Sequence, residues 1–339
     1  MDINIPYYED NSRISNSSLG WFIQSPRYYK DMLDGTIKNK ATSAMDNGSM
    51  IHMYLLQPKE FKQTYMILDF QVPTSAQQKQ FCVDYINSKA NKPIYKAVEA
   101  FKANYSTSGK SDDKIAKESL EMALKLKSYI KFLRSSDAGK KVISWSDMNM
   151  LIKIKSNVQK HKKANELLFN TVNSPGIIAE NEFHINWTWN IRPTDVFGVE
   201  RTTLNCKSLI DRLIIDQVNK RITLIDIKTT VSTSGFRDSF DKYDYGRQMA
   251  YYWSAIVWYI DNELKIDISG YSHETYIVAI QNNGSNECRV FEVPEGKITE
   301  KLEEIKKILS EIDWHMSNNL WDYSREYYEG DGVESLLYD

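Results

Sequence analysis

The chain has 339 residues, 42% of them hydrophobic and 12% aromatic, and a net charge of −2. That length can bury a sizeable core in one large domain or two smaller ones. The near-neutral balance excludes a global basic signature, so any nucleic acid would have to be steered by a local basic channel.

No run of about 18 apolar residues exists, so no membrane-spanning helix is expected. Residues Met1 to Pro6 lack the basic and then apolar layout of a signal peptide. The cysteines Cys82, Cys206 and Cys288 are scattered and odd in number. They argue for a reducing compartment, and against a disulfide framework or a cysteine-ligated metal cluster.

No internal repeat is evident. Residues 12–65 read as short helices broken by Ser25-Pro26 and Gly48, with Ser25 as N-cap and Pro26 at the first helical position. The stretch Ser43 to Leu56 reads as a helix carrying His52 and stopping before Pro58. Residues 74–170 read as mostly helical. Lys114 to Leu133 has a near-3.6 apolar period with a lysine face, and Ser106 to Asp113 reads as a loop. Ser146 to Leu168 reads as an amphipathic helix or helix pair with His161 in a basic run, exposed and near a phosphate backbone.

The sheet is expected within residues 177–295. Ile177 to Trp189 alternates as a strand. Ser208 to Ile215 and Ile222 to Lys228 form two strands joined by a short polar link, Asp216 to Arg221. A helix follows at Tyr245 to Tyr259. Tyr271 to Gln281 and Cys288 to Val293 are strands joined through the turn signal Asn282-Asn-Gly284. Glu300 to Met316 is a closing helix, and the tail from residue 321 to Asp339 is aromatic and acidic. This order implies a mixed central β-sheet flanked by helices, an α/β class, with a mostly helical N-terminal and central region. The whole of 1–339 reads as one domain.

The chemistry concentrates on Asp211, Asp226 and Lys228. Asp226 and Lys228 share a strand face with Ile222 and Leu224, roughly 6–7 Å apart. If the two strands pair, Asp211 completes a patch of two carboxylates and one ammonium. Carboxylates hold a hard divalent cation. The cation polarises a phosphate and lowers the pKa of a bound water. The lysine positions that water or stabilises developing charge. Each residue also has a plainer reading. An Asp-x-Lys strand can be an ordinary salt-bridged edge, and His52 a hydrogen-bonded core histidine. Glu180 competes with Glu182, and Tyr252 can be core. Arg212 and Arg247 suit phosphate contact or salt bridging equally. Trp187 and Trp189 read as packing residues.

Gln248 and Tyr252 lie on one helix face after the Asp-x-Lys strand. With Asp211 and Asp226-Ile-Lys228, they resemble the PD-(D/E)xK nuclease superfamily, in the branch that includes RecB-type domains and lambda exonuclease. The resemblance is closer to the phage exonuclease VIII (RecE-type) group. Ile14-Ser-Asn-Ser-Ser-Leu19, Ser25-Pro-Arg-Tyr-Tyr29, Asp46 to His52 with Leu55 to Phe61, Glu182 with Trp187, and Cys206 to Arg212 follow that group's blocks. The match covers residues 14–61 and about 177–256.

The resemblance implies a restriction-endonuclease-like core. Asp211, Asp226, His52 and the Ile227 carbonyl would hold Mg²⁺ or Mn²⁺. Lys228 would be catalytic, and Glu182 would complete the acidic cluster or hold a second ion. Gln248 would serve catalysis and, with Tyr252, Arg212 and Arg247, the DNA side. The implied activity is 5′ to 3′ resection of linear double-stranded DNA ends in phage recombination, in the cytoplasm of a bacterial host. A single-strand annealing recombinase and a ring-forming homo-oligomer are the implied partners. A structure-specific or nicking endonuclease, or a non-cleaving DNA- or protein-binding relative, are the alternatives. Some relatives carry four clustered cysteines for an iron–sulfur centre, a subtype that three scattered cysteines do not fit.

Overall fold

A computed structural model describes residues 6–37, 43–68, 70, 72–135, 137–191 and 202–334. The first residues of the chain and the last five of the acidic tail lie outside this range. The chain divides into two units, Met1–Gln57 with Met150–Asp339, and Pro58–Asn149.

The first unit opens with α1 (Asn16–Gln24), α2 (Pro26–Leu33) and α3 (Ser43–Leu56). Ser15 and Ser18 cap α1 reciprocally. Ser25 accepts from the Tyr28 N–H to cap α2, with Pro26 at the first position, as the sequence predicts. Helix α3 runs through Gly48 without the expected break. The glycine serves approach instead. A Cβ at position 48 would lie 3.4 Å from the Thr229 hydroxyl oxygen, so the bare backbone lets α3 settle close to its neighbouring strand.

The second unit holds α4 (Pro58–Thr64), β1 (Tyr65–Ile67), α5 (Ala76–Asn87), α6 (Pro93–Asn104), α7 (Asp112–Lys125), α8 (Lys127–Leu133) and β2 (Lys141–Ile143). Its core gathers Phe81, Cys82, Ala97, Phe101, Ile115 and Ile130. The predicted helix over Lys114 to Leu133 is split at Leu126, whose ψ of 9° leaves helical geometry. Strands β1 and β2 pair in parallel, a feature too short to be read from the sequence.

The chain passes back into the first unit along α9 (Trp145–Lys160), followed by α10 (Lys162–Asn165). His161 is half-buried between the exposed Lys160 and Lys162. Its Nδ1 accepts the Ala164 N–H and caps α10, while Lys163 pairs with Glu166. The sheet strands are β3 (Ile177–Ile191), β4 (Thr202–Asp216), β5 (Arg221–Thr230), β6 (Ser272–Gln281) and β7 (Cys288–Glu292), adjacent in that order. Among the described strands of this sheet, β5 and β6 are the parallel pair, joined through α11 (Phe236–Lys242) and α12 (Tyr245–Tyr259). Helices α13 (Glu295–Asn318) and α14 (Arg325–Glu329) close the described chain. The expected mixed α/β class is the class observed. No described helix is long and apolar enough to cross a membrane.

Candidate active site

Two irregularities of the sheet meet at Asp211. The β4–β5 ladder runs from Asp216↔Arg221 to Arg212↔Ile225 and stops. One step further, Asp211 would face Asp226. There the strands part. Oδ2 of Asp211 accepts the Ile227 N–H at 2.6 Å, so a side chain replaces the missing ladder bond.

The β3–β4 ladder skips one rung, between Asn181↔Arg212 and Phe183↔Ile210. The skipped pair is Glu182 and Asp211. Glu182 has φ 48°, left-handed in the middle of a strand, at a cost of roughly 1–3 kcal/mol. The pleat changes phase there. On β4 the residues packed in the main core are Leu204, Cys206 and Ile210 before Asp211, and Leu213 and Ile215 after it. An unbroken pleat keeps one parity. Glu182 and Asp211 face each other at this skipped rung, and their carboxylates come together there.

Helix α3 brings His52 to the same place. Its Nδ1 lies 3.5 Å from Oδ1 of Asp211 and 3.9 Å from Oε1 of Glu182. His52, Glu182 and Asp211 each offer a ligand atom within 4.8 Å of the others, and this group can hold a metal ion. Glu180 takes no part; it lies towards Arg212 and Tyr259, where its charge is felt.

Asp226 stands outside that tight group. Its carboxylate turns to Lys228, whose Nζ is 2.6 Å from Oδ2. Oδ2 is thus answered by the Lys228 ammonium, while Oδ1, equally buried, has no hydrogen-bond donor. Lys228 also lies 4.9 Å above the ring of Tyr245, at the start of α12. Tyr245 was not foreseen from sequence. A tyrosine three residues before the Gln-x-x-x-Tyr element gives no signal until the helix is placed beside the strand.

The electrostatics follow from burial of so many like charges. Burial and the Asp211 charge push Glu182 up to about 7. Burial raises Asp226 to about 6, with Lys228 opposing. For Asp211 burial acts upward, but His52, Lys228 and the Ile227 N–H together hold it below the ordinary carboxylate range. His52 is raised, because Asp211 outweighs the burial of its ring. Lys228 is raised as well, since Asp226 and Asp211 outweigh burial. Three carboxylates and one imidazole make an oxygen-rich donor set, and one Asp226 oxygen in it has no hydrogen-bond donor. It suits a hard divalent cation better than a soft one.

The predicted DNA-side residues divide. Gln248 is half-buried and donates to the Tyr252 hydroxyl at 2.8 Å, so the two do share a face. Tyr252 is only 7% exposed and sits in the main core, which removes it from direct DNA contact. Arg212 and Arg247 are corrected too. Arg212 is buried, donating to the carbonyls of Leu167 and Thr171 and to Asn181 Oδ1. Asn181 in turn donates to the Leu56 carbonyl at the end of α3. This chain of bonds fixes the helix that carries His52. Arg247 is buried against Asp244 and the Asn16 carbonyl, tying α12 to α1. Both guanidinium groups hold the fold together. Trp187 is core, as expected, its Nε1 donating to Ser208.

No protein-family model and no curated protein matches the chain. Among solved structures, a "Putative exonuclease" from Eubacterium rectale is 11% identical over 100% of this chain and 97% of that one, with a TM-score of 0.49. SSO0001 is also 11% identical, over 78% of this chain and 98% of that one, with a TM-score of 0.25. At such identities and TM-scores, neither likeness bears on what the site does.

Proposed function

We propose that this protein is a divalent-metal-dependent phosphodiester hydrolase acting on DNA, an exodeoxyribonuclease that uses Mg²⁺ or Mn²⁺. The observation that carries the reading is the fork itself. Asp211 and Asp226 flank the point where β4 leaves β5, with His52, Glu182 and Lys228 around them. The motif resemblance of the same residues to PD-(D/E)xK exonucleases supports it independently.

In this reading Asp211, Asp226 and His52 hold the ion, with the Ile227 carbonyl as a further ligand and Glu182 completing the set or holding a second ion. The ion supplies Lewis acidity towards the phosphate and lowers the pKa of the attacking water. Lys228 keeps its proton, because Asp226 and Asp211 raise its pKa. It therefore acts as a cation that stabilises developing charge and not as a general base. The Ile227 N–H holds one Asp211 oxygen, leaving Oδ1 directed at His52 and free for the ion. Gln248, bonded to Tyr252, places the DNA strand or Lys228.

The substrate we favour is linear duplex DNA, resected 5′ to 3′ in phage recombination within a bacterial cytoplasm. A strand-annealing recombinase and further copies of the chain in a ring are its proposed partners. The test is digestion of end-labelled linear duplex and closed circular duplex with Mg²⁺ or EDTA. Early release of 5′ label from linear DNA alone supports the reading. Cutting of closed circles would make the protein an endonuclease. Binding without cleavage would make it a non-catalytic relative.

A further inference from the structure

Charge is divided unevenly between the two units. Pro58–Asn149 carries 16 Lys and Arg against 10 Asp and Glu, a net +6, while the remainder of the chain carries 27 against 35, a net −8. The carboxylates of the fork belong to the acidic unit. Its field opposes the approach of a polyanion. Arg212 and Arg247 give no relief there, since both are buried on acceptors of the protein itself. Cations able to hold a phosphate backbone have to be sought in the second unit.

One group of them stands together on α8. Lys127, Lys131 and Arg134 recur at i, i+4 and i+7, so they share one helix face, and all three are exposed. Leu126 and Ile130 turn to the core of the unit instead. No Asp or Glu occurs from Met122 to Ser136. Among the described residues none of the three cations meets a carboxylate, whereas Lys110 and Lys140 of the same unit are paired with Glu118 and Asp137. The Arg134 guanidinium lies 5.7 Å over the Tyr85 ring, and its N–H donors meet no acceptor among the described residues. The row does nothing for the helix. Lys127 stands at its first position, where the dipole disfavours a cation, and Lys127 and Lys131, four apart, repel.

We propose that the face formed by Lys127, Lys131 and Arg134 binds the sugar–phosphate backbone of duplex DNA, holding the substrate that the fork cuts. The proposal rests on the DNA-hydrolase reading and names the surface that grips its substrate. The spacing suits the task. Seven residues of helix span about 10 Å, and a strand of B-DNA places a phosphate about every 3.4 Å of its axis, so the row can meet about three in succession. Such contacts carry no sequence information, as an enzyme that degrades any DNA requires. Because both units belong to one chain, duplex held by one is kept at high effective concentration for the other.

The experiment measures binding of a fluorescein-labelled duplex, with Ca²⁺ in place of the catalytic ion, between about 50 and about 200 mM salt. It compares wild type, the triple variant Lys127→Gln/Lys131→Gln/Arg134→Gln, and the pair Lys127→Gln/Lys131→Gln, which keeps the contact of Arg134 with Tyr85. The control is Lys306→Gln/Lys307→Gln on an exposed stretch of α13, which changes net charge as much as the pair does. At the lower salt the triple variant should bind about tenfold or more weakly, and its slope of log affinity against log salt should be shallower by about 2 to 3. The slope of the pair should be shallower by about 2, and the control should stay within about twofold of wild type. Urea midpoints and Mn²⁺ affinity should match wild type, because an exposed Gln keeps helix propensity and lies away from the ion. Slopes of the triple variant and the pair equal to wild type, a control loss as large as that of the pair, or a fall in Mn²⁺ affinity would each overturn the proposal while leaving the hydrolase reading intact. So would unchanged DNA binding beside lost binding to phosphatidylserine vesicles, which would make the face a membrane contact. Wild type that binds duplex with the expected slopes but never cuts it would overturn the hydrolase reading alone. Failure of wild type to bind or cut any duplex would overturn both.

Discussion

Oδ2 of Asp211 accepts the backbone N–H of Ile227 at 2.6 Å, across the point where β4 and β5 cease to pair. One carboxylate thus has two tasks. One oxygen closes the end of a ladder, and the other faces His52 at 3.5 Å. The two tasks can be separated by mutation.

Asp211→Asn keeps an acceptor for the Ile227 N–H but loses the charge, whereas Asp211→Ala loses both. Both variants should lose Mg²⁺-dependent DNA degradation by at least about 100-fold. Only Asp211→Ala should also lose stability, by about 1–3 kcal/mol, for a buried N–H left unpaired. Urea unfolding beside a nuclease assay checks this. Asp226→Ala and Lys228→Ala should be equally inactive yet folded, and activity retained in Asp226→Ala would sink the site assignment.

Glu182 gives a pH dependence with a definite sign. Its folded pKa is raised from 4.5 to about 7, so the charged carboxylate is disfavoured in the folded state. Its contribution is best below pH 4.5 and worsens as pH rises to about 7. Glu182→Gln removes that loss. Without divalent metal, wild type should fall relative to Glu182→Gln by about 1–3 kcal/mol between pH 5 and pH 8. Saturating Mn²⁺ should reverse the order, because the ion uses the charge the empty site resents. Parallel pH profiles for the two proteins would remove Glu182 from the ion site.

His52→Ala should weaken Mn²⁺ binding at least about tenfold with a smaller effect on stability, since the half-buried ring is held by carboxylates rather than by apolar packing. Wild-type Mn²⁺ affinity should rise with pH through the range where His52 and Glu182 release protons. Calorimetric titration at several pH values measures both. A large stability loss with Mn²⁺ affinity intact would make His52 a core histidine.

Gln248→Ala and Tyr245→Leu probe the helix beside Lys228. Neither side chain is placed to touch the ion, so Mn²⁺ affinity should hold within about twofold while turnover falls about tenfold or more. For Tyr245→Leu the cause is loss of the ring beneath the ammonium, worth about 0.5–2 kcal/mol. Collapse of metal affinity in Gln248→Ala would mean that α12 has been wrongly assigned.

Much of this was legible in the sequence for simple reasons. Strand alternation and the polar link Asp216 to Arg221 announce β4 and β5, and the aromatic-rich run Tyr245 to Tyr259 reads as the helix that α12 forms. The nearness of His52 to Asp211 came from motif order, since no local pattern joins residues 159 apart (211 − 52). The phase change at Glu182 was hidden, because a left-handed strand residue is dictated by tertiary demand and glutamate carries no propensity for it. Arg212 and Arg247 misled for the opposite reason. A guanidinium looks the same in sequence whether it meets phosphate or, as here, backbone carbonyls. The division into two units was likewise invisible in composition.

That division has a consequence for biosynthesis. Residues Pro58–Asn149 come, in chain order, between the helix that carries His52 and the strands that carry Glu182, Asp211, Asp226 and Lys228. From His52 to Lys228 a ribosome must add 176 residues (228 − 52), which takes roughly 9–35 s at bacterial to eukaryotic elongation rates. During that interval the nascent chain has an orphan histidine and no acidic partner. Interrupted translation products therefore lack a complete ion site, so a cell making this protein meets its chemistry only once translation has passed the last catalytic strand.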